Sequence, residues 1–217
     1  MSTASTPKFS LVMGTCNPKR PWLCRALNSA AGLFDEYIIV DDGSAAAVEG
    51  LPGMKVLRHE CNLGFYQARN TGVNAATGDI IAWLDDDDYL NRDGVVALKK
   101  HIESSSADIW HFLLQEFNQG DVLYGVDASP DRLVLHSAIP SQSWYRKTVW
   151  QELGGYTYPL AEDWDFLLRA FKRGFKFQYF PEVVYYYNRR SDSVSASWIG
   201  EKFEAMQEEI LKRNGIT

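Results

Sequence analysis

Short apolar runs alternate with segments of helical periodicity along the first half of the chain. The runs that predict strands, because turn residues bound each of them, lie at 9–13, 37–40, 54–57 and 80–84. Helices are predicted between them at 21–33 and around 65–76, where apolar residues recur at three- and four-residue spacing. Strands and helices in alternation are typical of βαβ units with a parallel sheet.

The second half of the chain has a more mixed pattern. A helix is predicted at 93–104 and another from Asp163 to Gly174. The predicted strands of this half lie at 109–117, 122–126, 143–146, 175–180 and 183–187. An amphipathic helix at 198–213 ends the pattern. We therefore expect an α/β, Rossmann-like single domain, with a mostly parallel central sheet flanked by helices and a mixed second half.

Aspartates follow two of the predicted strands. Asp41 and Asp42 come after the second, and residues 85–88 are four consecutive aspartates after the fourth. Ligands of open α/β sheets bind outside the carboxyl ends of the strands, so these side chains are expected along one rim. Adjacent carboxylates repel one another, and a divalent cation relieves that repulsion. Oxygen ligands without nearby His or Cys favour Mg²⁺ or Mn²⁺, whereas the alternative is a solvated acidic turn.

Composition and charge narrow the class of protein. The 217 residues carry a net charge of −6, and the basic residues form no block longer than a pair, which argues against a nucleic-acid partner. Three cysteines without a C-x-x-C pair indicate a reducing compartment. No apolar run approaches a membrane span or a signal core, so we expect a cytoplasmic protein that could still be peripheral to a membrane. The four histidines share no ligand spacing and are assigned no role.

Five short motifs occur along the chain in a distinctive order. They are Thr15-Cys16-Asn17, Asp41-Asp42-Gly43-Ser44, Asn62-Leu63-Gly64 with Ala68-Arg69-Asn70, Asp85-Asp86-Asp87-Asp88, and Glu162-Asp163-Trp164 with Leu168-Arg169. Because the motifs occur in this order and with this approximate spacing, the chain resembles the family 2 glycosyltransferases of GT-A fold over about residues 9–195. The resemblance implies an inverting enzyme of polysaccharide biosynthesis that uses Mn²⁺ or Mg²⁺. Its donor would be a nucleoside-diphosphate sugar, first of all a UDP-sugar, and its acceptor a hydroxyl of a carbohydrate or glycolipid.

The resemblance also implies roles for residues around the nucleotide. Thr15 matches the position that lines the nucleotide pocket, and Asn17 lies in the same motif. Asp42, with Asp41 as its neighbour, matches the acidic residue that reads the base. Arg69 matches the arginine that lies next to the nucleotide.

Further roles concern the metal and the chemistry. Asp85 would approach the ribose and donor sugar, Asp86 occupies the variable middle position, and Asp87 would bind the metal. Asp163 matches the carboxylate that removes the proton of the acceptor hydroxyl. A sugar hydroxyl is a poor nucleophile and needs such a base, and the departing nucleoside diphosphate needs a neutralising cation. The alternative for Asp163 is a cap at the start of a helix.

Two departures from the family pattern bear on specificity. Met13-Gly14 stands where many relatives carry Ile-Pro, so the nucleotide base is left open. Near the end of the chain, relatives often carry a His. In this sequence Arg189 or Arg190 is available instead to neutralise the diphosphate, and Arg189 is the predicted residue.

The implied organisation has three parts. A disordered tail at 1–7 precedes a GT-A domain at 8–195, and an amphipathic helix at 196–217 follows it. Within the domain, residues 8–90 would form the nucleotide-binding half and residues 91–195 the acceptor half. Two other functions are kept as alternatives: a sugar-nucleotide nucleotidyltransferase, and a nucleotide-sugar binding module without catalysis.

Overall fold

A computed structural model describes residues 6–118, 122–125, 129–191 and 201–216. Its strands are β1 (Phe9–Thr15), β2 (Glu36–Asp41), β3 (Lys55–Arg58), β4 (Ile80–Trp83), β5 (Tyr89–Leu90), β6 (Ile109–Glu116), β7 (Leu123–Tyr124), β8 (Trp144–Arg146) and β9 (Phe177–Tyr187). Its helices are α1 (Arg20–Ala30), α2 (Phe65–Ala75), α3 (Arg92–Glu103), α4 (Lys147–Leu153), α5 (Glu162–Lys172) and α6 (Glu201–Arg213). None of these helices has the length and apolar character needed to cross a membrane.

Three predicted features involve residues outside those that the structure describes. Positions 1–5 of the predicted tail, the predicted domain boundary at 195 and the predicted helix start at 198 all lie outside the described residues.

The described strands form one mixed sheet in the order β3-β2-β1-β4-β8-β6-β9-β5, with β7 paired to β6. The strands β3, β2, β1 and β4 are mutually parallel. Beyond them β8 runs antiparallel to both β4 and β6. The expected α/β fold, with a parallel first half and a mixed second half, is therefore confirmed.

Helices cover both faces of the sheet, and strand β1 contributes apolar side chains to both faces. All seven residues of β1 are buried. Phe9, Leu11 and Met13 belong to an apolar cluster with residues of α1 and α3. Val12, which points the opposite way, belongs to a second cluster with residues of α2 and α5. Alternate strand residues face opposite sides, so a strand covered on both faces carries apolar residues on both of them.

The contact of α2 with the sheet depends on Gly72. A Cβ atom at this position would lie 2.3 Å from Cγ1 of Val12 on β1 and 3.4 Å from Cγ2 of Val40 on β2. Because only glycine leaves room for this approach, α2 packs close against β1 and β2. This packing holds the start of α2 beside the carboxyl ends of those strands.

The structure differs from the predicted elements mainly in the second half. The two strands predicted at 175–180 and 183–187 are one strand, β9, because its pairing with β6 steps from Phe180 directly to Val183. Pro181 and Glu182 form a bulge, which lets a proline lie within a strand. Helix α4 and strand β5 are absent from the prediction. Both are short, at 7 and 2 residues, and carry little periodic signal.

Candidate active site

A cavity of about 1020 Å³ lies at the carboxyl ends of β1, β2 and β4. Its lining includes Thr15 at the end of β1, Asp42 just after β2, and residues 85–88 just after β4. Asp163, in the first turn of α5, lines the same cavity. The rim expected from the strand ends is therefore confirmed for Asp42 and the four consecutive aspartates.

Asp42 organises one end of the cavity. Its Oδ1 accepts hydrogen bonds from Leu63 N at 2.9 Å and pairs with His59 Nδ1 at 2.6 Å, and its Oδ2 accepts from Gly64 N at 2.9 Å. The opposite ring nitrogen of His59 lies 2.9 Å from Thr71 Oγ1. The carboxylate thereby connects the end of β2 to the loop before α2.

Asp41 and Asn17 shape the adjoining turn. Asp41 is fully buried, accepts from Ser44 N at 2.9 Å and Val48 N at 3.0 Å, pairs with Arg58, and does not line the cavity. Burial raises the pKa of Asp41, but these donors outweigh it and hold the pKa below its ordinary value. Asn17 lines the cavity, and its Oδ1 accepts from the N–H of residue 45 at 2.9 Å.

Asp86 is held by the end of β1. Its Oδ2 accepts a hydrogen bond from the hydroxyl of Thr15, which is buried. The pKa of Asp86 is raised to about 6. Burial is the largest cause, the neighbouring carboxylates of Asp87 and Asp85 raise the pKa further, and the hydrogen bond from the Thr15 hydroxyl lowers it. Charge repulsion within the aspartate run is therefore only partly relieved by the surrounding protein.

Asp87 has a cationic partner from the segment after β9. Its Oδ2 lies 2.6 Å from Nη1 of Arg190, whose guanidinium also stacks 4.8 Å from the ring of Trp22. Burial and Asp85 raise the pKa of Asp87, and Arg190 lowers it. Of the two adjacent arginines, Arg190 lines the cavity. Arg189 does not line it and donates from Nη1 to the hydroxyl of Tyr124 at 3.0 Å.

Asp85 lies at the centre of the lining. Its Oδ2 accepts a hydrogen bond from Nε2 of Gln142 at 3.1 Å, and its Oδ1 lies 4.0 Å from Nη2 of Arg69. Its backbone N–H donates to the hydroxyl of Tyr185 at 2.8 Å. Asp85 thus connects β4 with β9 and with the loop before β8.

Arg69 is a buried cation between two acidic groups. It is 3% exposed, its Nε lies 3.4 Å from Oε1 of Glu162, and its guanidinium is 4.8 Å from the ring centroid of Trp83. Its Nε and Nη1 are buried without a hydrogen-bond partner within the protein. Burial lowers the pKa of Arg69, but Glu162 and Asp85 raise it above the ordinary value, so the side chain stays charged. A buried guanidinium that lines the cavity with unused donors is suited to binding an anionic ligand.

Glu162 and Asp163 begin α5 in very different surroundings. Both line the cavity, but Glu162 is 9% exposed and lies against Arg69, whereas Asp163 is half-buried. Burial raises the pKa of Glu162 to about 7, Arg69 lowers it, and Asp163 raises it.

The residues present fit a divalent cation only in part. Mg²⁺ and Mn²⁺ commonly take one or two protein carboxylates and complete their shell with water and substrate phosphates. Asp85, Asp86 and Asp87 line the cavity and can supply such ligands. Within the described ranges, however, no group of three or more His, Cys, Asp or Glu side chains is arranged to hold a metal. The rim suits an ion that receives most of its ligands from substrate and water.

Two residues of the site escape the sequence analysis. His59, to which the sequence assigns no role, holds Asp42 in place, and Gln142 donates to Asp85. His59 lies 17 positions from Asp42, and Gln142 lies 57 positions from Asp85. Neither residue belongs to a local motif, so only the folded chain brings these pairs together.

Comparison with known proteins gives a consistent result. A family model described as "Glycosyl transferase family 2" matches residues 10–154. The uncharacterized glycosyltransferase YwdF of Bacillus subtilis is 31% identical to this chain, over 96% of the chain and 85% of YwdF. A PGL/p-HBAD biosynthesis glycosyltransferase of Mycobacterium tuberculosis is 28% identical, over 85% of the chain and 78% of that protein.

A solved structure shares the fold. The crystal structure of Staphylococcus aureus TarS residues 1–349 in complex with UDP-GlcNAc superposes with a TM-score of 0.72 at 20% identity. The match covers 95% of this chain and 71% of that one. The α/β architecture is therefore that of a GT-A glycosyltransferase structure.

Proposed function

Because this chain belongs to glycosyl transferase family 2, we propose that it moves a sugar from a nucleoside-diphosphate sugar to a hydroxyl acceptor, with inversion at the anomeric carbon. The observation that supports this most directly is the single cavity lined by Asp42, the aspartates at 85–88 and Asp163. Groups for the nucleotide, the diphosphate and the acceptor thereby share one space. A sugar nucleotide is the ligand whose parts need all three.

The proposed donor is a UDP-sugar. The TarS structure of the same fold was solved with UDP-GlcNAc, and the cavity of this chain has a polar end formed by Thr15, Asn17 and Asp42. Asp42 would act on the base mainly through the loop that it holds, since its oxygens already accept from three donors. We propose residues 8–90 as the nucleotide-binding half and 91–195 as the acceptor half, and we assign the protein to the cytoplasm on its cysteine pattern.

Asp163 is proposed as the general base. Its neighbour Glu162 also lines the cavity but is buried against Arg69, whereas Asp163 is half-buried and has no such cation against it among the ion pairs of the described residues. Asp163 would take the proton of the acceptor hydroxyl as the oxygen attacks the anomeric carbon. The C–O bond to the diphosphate breaks, and the bonding electrons leave with the nucleotide. Glu162 would instead help to position Arg69.

The negative charge of the leaving diphosphate needs a counterion. Arg190 supplies one cation directly beside Asp87, and Arg69 supplies another beside Asp85. Asp87, with Asp85 as its neighbour, would hold Mn²⁺ or Mg²⁺, which neutralises phosphate charge when bound. Arg190, which lines the cavity beside Asp87, would contribute positive charge to the diphosphate as well.

Replacing the base tests the proposal. Asp163→Asn is expected to lower transfer by about 10²- to 10⁴-fold while UDP binding, measured by calorimetry, is unchanged. The matched control is Asp93→Asn, an aspartate in the first turn of α3 that is exposed and outside the cavity. Transfer is followed as UDP release, and the anomeric configuration of the product is read by NMR. Near-normal turnover in Asp163→Asn would show that another group is the base, and UDP binding without release in the unaltered protein would favour a non-catalytic binding module.

The nucleotide itself is identified by ligand-induced stabilisation. Thermal unfolding is measured with UDP, GDP, dTDP and CDP, each with and without Mn²⁺, because a ligand bound only by the native state raises its melting temperature. UDP is expected to give the largest increase. A larger increase in melting temperature with another nucleotide would identify that nucleotide, instead of UDP, as the one carried by the donor.

A further inference from the structure

Apolar side chains form part of the cavity lining. Ile139, Leu160, Phe203 and Met206 are among them, and Leu160 lies three residues before Asp163 in the chain. Ile139 and Met206 are almost fully buried, whereas Leu160 is 41% and Phe203 36% exposed. The apolar surface therefore continues from the interior of the cavity to its rim. We call these four residues the apolar wall.

The apolar wall is built by α6 against the region around the start of α5. Tyr158 donates from its hydroxyl to Oε2 of Glu209 at 2.8 Å, and Gln207 donates to the carbonyl of Leu135. Met206 belongs to the same apolar cluster as Tyr158. These contacts hold α6, which carries Phe203 one turn before Met206, against the rest of the domain, and Phe203 lines the same cavity as Leu160 and Asp163. The wall is thus part of the folded domain and adjoins the proposed base.

The basic residues of the cavity lining have aromatic and acidic partners. Three basic residues of the described chain line the cavity. Lys19 and Arg190 both stack on Trp22, at 4.1 and 4.8 Å, near Asp87, and Arg69 is buried between Glu162 and Asp85. The segments outside the described ranges contain no Lys or Arg. The basic residues that line the cavity therefore contact aromatic and acidic side chains rather than the apolar wall.

We propose that the apolar wall binds the acceptor, and that this acceptor is an uncharged hydroxyl-bearing head group joined to an apolar aglycone, as in a glycolipid. The inference rests on the proposed function, because the head group must reach Asp163 while the aglycone lies along Leu160 and Phe203. Exposed apolar side chains beside a reaction centre gain free energy when an apolar ligand covers them. A free sugar or a polyanionic glycan would leave Leu160 and Phe203 in contact with water or place charge against them.

A chain-length series of simple glycosides tests the inference. Dissociation constants of methyl, butyl and octyl β-D-glucoside are measured by NMR titration, with saturating UDP and below the micelle concentration of the octyl compound. Each fully buried methylene strengthens binding about fourfold, so the partly open wall should give at least about a tenfold gain from methyl to octyl. Phe203→Ser and Leu160→Ser should remove most of this gain, and Phe203→Leu should keep much of it. Val96→Ser, at a still more exposed apolar position on α3 outside the cavity, is the control and should keep all of it.

The results separate this inference from the proposed function. If UDP binds and is released from UDP-GlcNAc but the three glycosides bind equally, the apolar wall is not an aglycone site and only this inference is overturned. If UDP itself does not bind, the proposed function fails. Self-association that Phe203→Ser abolishes, with no effect of glycoside chain length, would make the wall a contact between copies and would also overturn the inference.

Discussion

Glu162 provides a test of the site electrostatics that requires no substrate. Its side chain is buried at the start of α5 beside Arg69, and burial is the largest cause of the rise in its pKa from 4.5 to about 7. A carboxyl whose pKa is higher in the folded than in the unfolded protein makes stability depend on pH. Glu162→Gln keeps the size and polarity of the side chain and removes its titration.

The size and sign of the expected change in the free energy of unfolding follow from the pKa of Glu162 in the unfolded and in the folded protein. Below pH 4.5 Glu162 is protonated in both states and adds no pH dependence. Between pH 4.5 and about 7 the unfolded chain releases its proton first, so the free energy of unfolding falls as pH rises, and above about pH 7 the loss is complete. The difference between 4.5 and about 7 corresponds to roughly 3 kcal/mol, most of which is lost between pH 5 and 8.5.

Urea unfolding at a series of pH values from 5 to 8.5 measures this effect. The Gln variant is expected to gain roughly 2 to 3 kcal/mol relative to the unaltered protein across that range, because only the unaltered protein loses stability through this group. Glu182→Gln, at an exposed position in the bulge of β9, is the control and should give a difference that does not vary with pH.

A difference between Glu162→Gln and the unaltered protein that stays constant from pH 5 to 8.5 would refute the reasoning. It would mean that Arg69 compensates the burial of Glu162 fully and that Glu162 is ionised throughout this range. Both carboxylates at the start of α5 would then be candidates for the base, and the division of roles between Glu162 and Asp163 would have to be given up.

Three further predictions concern the packing and the rim. Gly72→Ala is expected to lower the free energy of unfolding by about 2 kcal/mol, because its Cβ would meet Val12 Cγ1 at 2.3 Å, and urea unfolding measures the loss. Asp165→Ala should cost about 3 kcal/mol in the same assay, since the buried carboxylate accepts from Arg169 Nε at 2.8 Å and from Asn214 Nδ2 at 3.1 Å, joining α5 to the end of α6. Asp87→Ala should remove the effect of Mn²⁺ on UDP binding, as measured by calorimetry.

Each of these has an outcome that contradicts it. An unchanged unfolding midpoint in Gly72→Ala would mean that α2 can move off the sheet without loss. Normal stability of Asp165→Ala would show that the other contacts of α6 hold it in place without this carboxylate. UDP affinity that responds to Mn²⁺ equally in the unaltered protein and in Asp87→Ala would place the metal on other oxygens.

Local patterns determined the first half of the molecule. The apolar sequences of β1, β2 and β4 specify strands covered on both faces, and parallel strands end on the same side of a sheet. Aspartates that directly follow two such strands must therefore meet at one rim. These features depend on short-range periodicity and on a general rule of α/β topology, so the sequence alone could predict them.

Tertiary structure decided the second half of the fold. Strand β9 continues through Pro181 because its pairing with β6 absorbs two residues as a bulge. Strand β5 has two residues, and pairing with β9 is what defines it. The free energy that stabilises such elements comes from partners distant in the chain, which a window of local sequence does not contain.

The folded structure also places adjacent residues of the same type in different surroundings, which the sequence alone does not reveal. Asp41 is enclosed by backbone donors while Asp42 lines the cavity, and Arg189 contacts Tyr124 while Arg190 reaches Asp87. Adjacent side chains leave the backbone in different directions, so one of each pair meets the cavity and the other does not. The sequence determined which kinds of chemical group gather at the rim, whereas the three-dimensional packing determined which member of each pair faces the cavity.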